Sequence, residues 1–354
     1  MHLRSTIAAA GVACVAAATL TSCSGGSAEE LTDFRVGVFS ADVTFGAFYS
    51  AIGEGGALSK VLDDAGVELS IETIPSGSNL VAALAGGSVD AAIVPGASVL
   101  GVDAQGGDLV PLMNMFDGPS QQVIANSASQ AANGDDVRAF DGQRWAFTRL
   151  GSISEISARL TAENAGLNWS DQEQLPLGSG SETQAVLESG RADILSTSPV
   201  NASQAVASGK AYLISNPQAD ETLPIADQLN SVFTTSTKFA EQHPDFVQQV
   251  VTALVGELSG LATTPSAAEA LETMSPAFVD AVGDTWELQW DYSITGFARA
   301  SGGFSPAEIE QTLTGATLVD VVEDGYEPSG DLFDNKYVLA AYDELGVTVP
   351  AALS

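Results

Sequence analysis

Histidine and cysteine are nearly absent from this sequence, with two of each in 354 residues. That shortage leaves almost nothing from which to build a zinc site or a thiol- or imidazole-based catalyst. Basic residues are scarce too: 12 Lys+Arg stand against 45 Asp+Glu, for a formal net charge of −33. Such a balance argues against nucleic-acid binding, which needs clustered cations to displace phosphate counterions. Beyond the N-terminal segment, long apolar runs are missing as well. The best stretch, residues 247–261, is interrupted by Gln248, Gln249 and Glu257, so no membrane span is expected there. What remains is ample core material, 45% hydrophobic residues including 14 Phe, 4 Trp and 6 Tyr. The length suggests about two domains.

The first segment reads as a secretory leader. Arg4 and the free amine supply positive charge, and residues 6–20 form an Ala/Val-rich apolar stretch, shorter than the ~20 residues a bilayer span needs. It ends at Leu20-Thr21-Ser22-Cys23, followed by Ser24-Gly25-Gly26-Ser27. This resembles the bacterial lipobox, which implies cleavage before Cys23, lipidation of that thiol and a polar tether; a plain secretory leader is the alternative. Cys14 and His2 lie in the discarded part, so the secreted body has no second thiol for a disulfide and one histidine, His243. Its acidity keeps such a body dispersed and off the anionic membrane surface.

An internal repeat is the most informative feature. Ser76-Gly77-Ser78 continues through Ala82, Leu84, Gly87 and Asp90; 103 positions later Ser179-Gly180-Ser181 continues through Ala185, Leu187, Gly190 and Asp193. Each copy follows a strand-like run (67–74 and 173–178). Ser/Gly then start a short helix, Gly87 or Gly190 ends it, and a strand resumes at 90–94 or 192–197. Two strand–helix–strand units predict an α/β fold of two similar lobes with parallel sheets. In the first lobe, 34–39 and 109–116 are expected as strands and 45–65 as a helix. In the second, 144–150 and 210–215 are expected as strands, and 152–165 as a helix capped by Ser152 or Ser154. The extended stretches 121–126 and 231–236 read as paired crossing strands of a hinge. Helices over 237–261, 266–274, 276–286 and 306–313 are expected to return to the first lobe. The expected division is therefore a leader over 1–22, a tether over 23–32, a discontinuous first lobe over 33–120 and 237–354, and a second lobe over 121–236 with a crossing at each end.

Catalytic constellations are poorly supported. His243 sits in Glu241-Gln242-His243-Pro244-Asp245 and is expected to face solvent, which leaves no Ser-His-Asp arrangement. The acidic stretch 320–334 lacks EF-hand spacing and reads as a solvated loop, and no spacing singles out a carboxylate pair. No metal or cofactor is expected. A cleft is better supported, because in open α/β sheets ligands lie beyond the carboxyl ends of strands, against helix starts. That rule selects Ser40, Asp42 and Thr44 after the first strand; Ser76, Gly77, Ser78 and Asn79 at the repeat; and Pro95, Ala97 and Ser98 after the next strand. From the second lobe it selects Arg149, Gly151 and Ser152, then Ser198 and Asn201. Arg149 is the natural counter-charge for an anion, while Asp42 leaves room for a cationic or zwitterionic solute.

The order of these features resembles the ABC-importer solute-binding proteins. The residues that carry it are the lipobox, the 34–39 strand, Pro75-Ser76-Gly77, Ala83-Leu84, Gly87-Ser88-Val89-Asp90-Ala91, Gly142-Gln143-Arg144-Trp145-Ala146, Gly151-Ser152, and Lys238-Phe239-Ala240-Glu241-Gln242-His243-Pro244-Asp245. The likeness is to the nitrate/sulfonate/taurine branch, which shares its fold with binders and synthases of a pyrimidine thiamine precursor, and it spans about 34–261. It implies a type II periplasmic-binding-protein fold with a two-strand hinge. It also implies a monomer that closes on a small polar or anionic solute and serves a membrane permease and its ATPase from outside the cytoplasmic membrane. Two departures matter. Asp193-Ile194 leads to Thr197-Ser198-Pro199-Val200, where the family often has Trp or Asp-Pro, and the Cys-rich cluster of the pyrimidine synthases is absent. A pyrimidine binder, an enzyme or a receptor-linked sensor on the same fold are the alternatives.

Overall fold

Two five-stranded sheets of matching design organise the chain, and their loops face one cavity. The computed structural model describes residues 31–74, 77–130, 134–178 and 182–353; the leader, Cys23, Ser76 and the Ser179-Gly180-Ser181 turn lie outside them. The ten strands among the described residues are β1 (Asp33–Val38), β2 (Glu68–Thr73), β3 (Ala91–Val94), β4 (Leu109–Asn114), β5 (Gln122–Asn126), β6 (Arg144–Phe147), β7 (Glu173–Pro176), β8 (Ile194–Thr197), β9 (Ala211–Ser215) and β10 (Val232–Ser236). The first sheet runs β2-β1-β3-β10-β4 and the second β7-β6-β8-β5-β9. In each, the fourth strand is antiparallel to its neighbours on both sides. That strand is the first one formed after the chain crosses from the other half.

The crossings differ from the expected pairing. Strands β5 and β10 do not pair with each other; each is an interior strand of its own sheet, and β10 belongs to the first. Apolar alternation fits a strand but does not choose its partner. The two passages meet a few residues earlier. The Met115 amide donates to the Ser231 carbonyl (2.8 Å), the Asn230 amide to Phe116 (3.0 Å) and the Gly118 amide to Gln228 (2.8 Å), with a bridge between Asp117 and Leu229. Gly118 is required there. Its φ is +82°, and a Cβ would lie 2.5 Å from the Ala226 carbonyl oxygen.

Helices flank the sheets. Those of the first half are α1 (Gly46–Ala51), α2 (Ala57–Ala65), α3 (Gly77–Ala85) and α4 (Gly96–Asp103); those of the second are α5 (Ile153–Asn164), α6 (Thr183–Glu188) and α7 (Pro199–Ala207). The single helix expected over 45–65 is broken. Gly53 and Gly56 press against backbone, where a Cβ would sit 2.1 Å from the Thr273 carbonyl oxygen or 2.3 Å from that of Ala51. The C-terminal part supplies α8 (Thr237–Gln242), α9 (Pro244–Leu261), α10 (Ala267–Thr273), α11 (Pro276–Val282), α12 (Trp286–Arg299), α13 (Pro306–Leu318) and α14 (Lys336–Leu345). Pro244, which cannot donate to the preceding turn, divides the helix expected over 237–261.

The core of the first half gathers Phe34, Val36, Phe48, Phe116 and Phe233 against Val247, Val250, Leu254 and Leu258 of α9. A smaller core around Trp145, Phe147 and Trp169 sits in the second. Not all of the C-terminal part stays with the first half. Ile156 and Leu160 of α5 pack with Leu223, Ile225 and Val319, and Arg159 donates to the Leu318 carbonyl at the end of α13. The acidic stretch 320–334 is tied down as well, because Tyr326 and Ser329 donate to Asp103 and Leu332 and Phe333 pack inward. These anchors are long-range contacts that no local pattern announces.

The repeat acquires a structural meaning. The Arg35 amide, Nε and Nη2 all donate to the Asp90 carboxylate (2.9, 3.0 and 2.6 Å), and Nη2 also donates to the Gly87 carbonyl. The Arg144 amide, Nε and Nη2 donate to Asp193 (3.1, 2.8 and 2.9 Å), and Nη1 donates to the Gly190 carbonyl. The repeated glycine and aspartate therefore clamp β1 to β3 and β6 to β8. Each Arg holds its pair through a bidentate fork, and Arg144 holds the Asp193 carboxyl below its usual range against the opposing effect of burial. The described residues form one compact unit.

Candidate binding cavity

The strand ends of both sheets open onto a cavity of about 350 Å³. Strand β1 delivers the loop carrying Ser40, Asp42 and Thr44. The first turn of α3 brings Gly77, and the turn after β3 brings Pro95, Ala97 and Ser98. From the other side, β6 delivers Arg149, Gly151 and Ser152, and β8 delivers Ser198 and Asn201. These 12 expected residues share one lining. Of the other three, Ser78 and Asn79 are exposed on α3 away from it, because that helix turns them outward while burying Leu80 and Leu84. Ser76 is among the residues not described.

The electrostatics divide the lining. Arg149 is half-buried, and its guanidinium reaches the first turn of α3, so close that a Cβ on Gly77 would meet Nη2 at 3.0 Å. Among the described residues it forms no ion pair; its side chain donates only a long bond to the Leu150 carbonyl (3.4 Å). Burial without a carboxylate pushes its pKa down. Helices α4 and α7 also begin at the cavity, at Pro95 and Ser198, without a side-chain cap. Their first-turn amides and dipoles favour negative charge.

Asp42 contributes the opposite sign. It is 4% exposed and caps the short turn Val43–Phe45, its Oδ1 accepting from the Thr44 amide and hydroxyl, both at 3.1 Å. Its Oδ2 is buried and makes no close hydrogen bond among the described residues. Burial raises its pKa, partly offset by Thr44 and by the Val200 amide facing it from α7.

Ser152 is committed locally. It donates to the Arg149 carbonyl (2.6 Å), joins Ser154 (2.8 Å), and accepts from the Glu155 amide as the cap of α5. Asn201 donates to Thr197 (3.3 Å).

Sequence reasoning missed the aromatic and hinge parts of the lining. Phe39 and Phe45 supply apolar wall, with ring centroids 6.3 Å apart. Ser120, Gln121 and Asn230 come from the two crossings, where the Asn230 side chain donates to the Gly118 carbonyl (2.8 Å) and to Ser120 (3.1 Å). Their signal was a cluster of uncharged polar residues beside each extended stretch. Among the described residues no histidine or cysteine lines the cavity. His243 stands between α8 and α9, its ring centroid 4.9 Å from that of Phe239. Among the described residues no cluster of His, Cys, Asp or Glu could hold a metal ion.

The profile of the family described as NMT1/THI5 like matches residues 62–268, more than half of the chain. The chain belongs to the NMT1/THI5-like family. Solved structures agree on the fold. The alkanesulfonate-binding protein SsuA of Xanthomonas axonopodis pv. citri, bound to MOPS, superposes with a TM-score of 0.62 at 21% identity, covering 82% of this chain and 93% of that one. The periplasmic nitrate-binding protein NrtA of Synechocystis PCC 6803 gives 0.68 at 14% identity, covering 92% of each. The desulfurization enzyme DSZB gives 0.62 at 15% identity, covering 89% of this chain and 99% of that one. No curated protein sequence matches the chain. The α/β, two-sheet periplasmic-binding-protein fold expected from the repeat and from the family resemblance is thus the fold of this NMT1/THI5-like chain.

Proposed function

We propose that this NMT1/THI5-like protein is the extracytoplasmic solute-binding component of an ABC importer. It captures a small anionic or strongly polar solute between its two lobes and delivers it to a permease and ATPase. One observation carries the reading: in a chain of net charge −33, the cavity-lining Arg149 has no carboxylate partner among the described residues. Carboxylates are abundant elsewhere, so a cation kept clear of them beside helix starts is suited to an anion brought from outside. The sulfonate and nitrate ligands in the names of the similar structures support the same class.

The lobes, taken as 33–120 with much of the C-terminal part against 121–231, rotate about the passages 115–118 and 228–231. Solute touches both lobes only when they are shut, so it shifts population toward the closed form that a permease reads. The protein acts as a monomer, held at the outer face of the cytoplasmic membrane by a lipid on Cys23. No helix among the described residues is long and apolar enough to cross a membrane.

The test is a thermal-shift screen of ligand-stripped protein against nitrate, aliphatic sulfonates and a pyrimidine thiamine precursor, followed by calorimetry. Stabilisation by one anionic class, with no conversion of the bound molecule, is the expected result. Stabilisation by none of them, or by neutral solutes alone, would refute it. The likeness to a desulfurization enzyme makes turnover the second reading, and product analysis after incubation with organosulfur compounds separates the two.

A further inference from the structure

We propose that Val321, which lies outside the cavity lining, is a positioning residue: it pins the loop that carries Arg149 to helix α4 of the first lobe. This rests on the reading of Arg149 as the group that meets an anionic solute, and it adds what holds that group in place. Val321 sits in the turn that closes α13. The Asp320 amide donates to the Thr317 carbonyl (3.2 Å) and the Val321 amide to the Ala316 carbonyl (2.9 Å), the bond pattern of a Schellman turn. Asp320 adopts a φ of +57°, the one non-glycine residue at positive φ among the described residues. A side chain is disfavoured there, so the turn is kept against local preference by what its residues pack upon.

The packing joins the two lobes. Val321 belongs at once to the apolar cluster of Ile156, Leu160 and Ile225 on the second lobe and to that of Leu100 and Ala316 on the first. Its two methyls rest on two glycines. A Cβ on Gly101 of α4 would meet Cγ1 at 3.0 Å, and a Cβ on Gly151 would meet Cγ2 at 3.2 Å. Gly151 lines the cavity two residues after Arg149, whereas Val321 does not line it. The loop's other ties, the Gly151 amide to Glu155 (2.6 Å) and the Ser152 hydroxyl to the Arg149 carbonyl (2.6 Å), stay within the second lobe. They shape the loop but give it no fixed place relative to the first lobe; Val321 does. Arg159 of α5 holds the same turn by donating to the Leu318 carbonyl. Helix α12 also reaches the second lobe, where Thr295 and Arg299 donate to the Gln218 carbonyl, but beside the hinge passages rather than at the Arg149 loop.

Two measurements on the mature protein test this. In empty Val321→Ala, amide hydrogen exchange over residues 149–155 is expected to be roughly tenfold faster, with residues 194–207 changed by less than about twofold. The second is a double-mutant cycle with Arg149→Ala, using nitrate or propanesulfonate, whichever binds wild type more tightly, read by calorimetry and by NMR titration where binding is weak. Val321→Ala is expected to weaken binding roughly 3- to 30-fold when Arg149 is present and by less than about 1.5-fold when it is absent. The same factor in both backgrounds would show general loosening and overturn the positioning role, as would unchanged affinity in both. If neither anion binds wild type, the anion reading fails, and exchange alone decides the pin: local acceleration upholds it, and unchanged or uniformly faster exchange overturns it.

Discussion

Replacing Arg149 with Ala should weaken affinity without lowering stability. The guanidinium is partly desolvated, lowered in pKa by burial alone, and its one side-chain bond among the described residues is 3.4 Å long. An anionic solute would gain charge-assisted hydrogen bonds from it, each contributing about 1.5–3 kcal/mol. Losing one corresponds to an affinity about 10- to 150-fold weaker. The empty protein loses almost nothing, because no ion pair is broken, and the unfolding temperature should stay level or rise slightly. Calorimetry with the best-binding anion and thermal unfolding without ligand read the two effects separately. Arg149→Lys should fall between, since an ammonium keeps the charge but not the planar fork. A fall of several degrees in the empty protein would show that Arg149 holds the lobes together. Unchanged affinity would remove it from the site.

Other parts of the molecule yield further expected outcomes. Asp90→Ala and Asp193→Ala should each destabilise by about 1.5–3 kcal/mol, shifting the urea midpoint. Asp90 should cost more because its side chain is 11% exposed against 26%, and equal midpoints for wild type and both variants would refute the clamp. Stability should rise as pH falls from 8 toward about 5. Burial raises the pKa of Asp42, Asp117, Glu155 and Glu308, so over that window the native state holds more protons than the unfolded chain. Below about pH 4 the trend should reverse, as Asp193, whose pKa Arg144 lowers, takes up its proton. Thermal unfolding across pH 3–8 checks this, and a steady decline from pH 8 downward would contradict it. Gly118→Ala should destabilise by roughly 2–4 kcal/mol, since it adds a Cβ at φ +82° beside Ala226 and Arg299; an unchanged midpoint would refute that hinge geometry.

Much of the fold was legible because it is local. Buried strands announce themselves as short apolar runs such as 91–94, and helix ends as glycine. The cavity was legible through a topological rule, that loops after parallel strands converge, which needs only the order of elements. What escaped was long-range. The partner of an extended stretch is not written in its own residues, so β5 and β10 were read as mates when each lies inside a different sheet. Ser120, Gln121 and Asn230 line the cavity because the crossings pass beneath it, a fact of tertiary path. Arg35 and Arg144 passed unnoticed as single charges near strand starts, although their aspartates were in plain view.

The repeat separates frame from function. Its shared Gly and Asp residues serve the Arg clamps of both sheets, on strand edges remote from the cavity. The loops that face the cavity differ between the halves: Ser40 and Asp42 after β1 stand opposite Arg149 and Gly151 after β6. If a duplicated half needed the same residues for folding and for binding, the two loops would carry the same charge, and the cavity would have no polarity. Instead the clamps fix β1 to β3 and β6 to β8 whatever the composition of the loops beyond them, which frees each loop to take its own sign. The direction of charge across the cleft, negative from the first lobe and positive from the second, is therefore a property of the divergent loops alone. Exchanging Asp42 and Arg149 for other residues should alter which guest is held without disturbing either sheet.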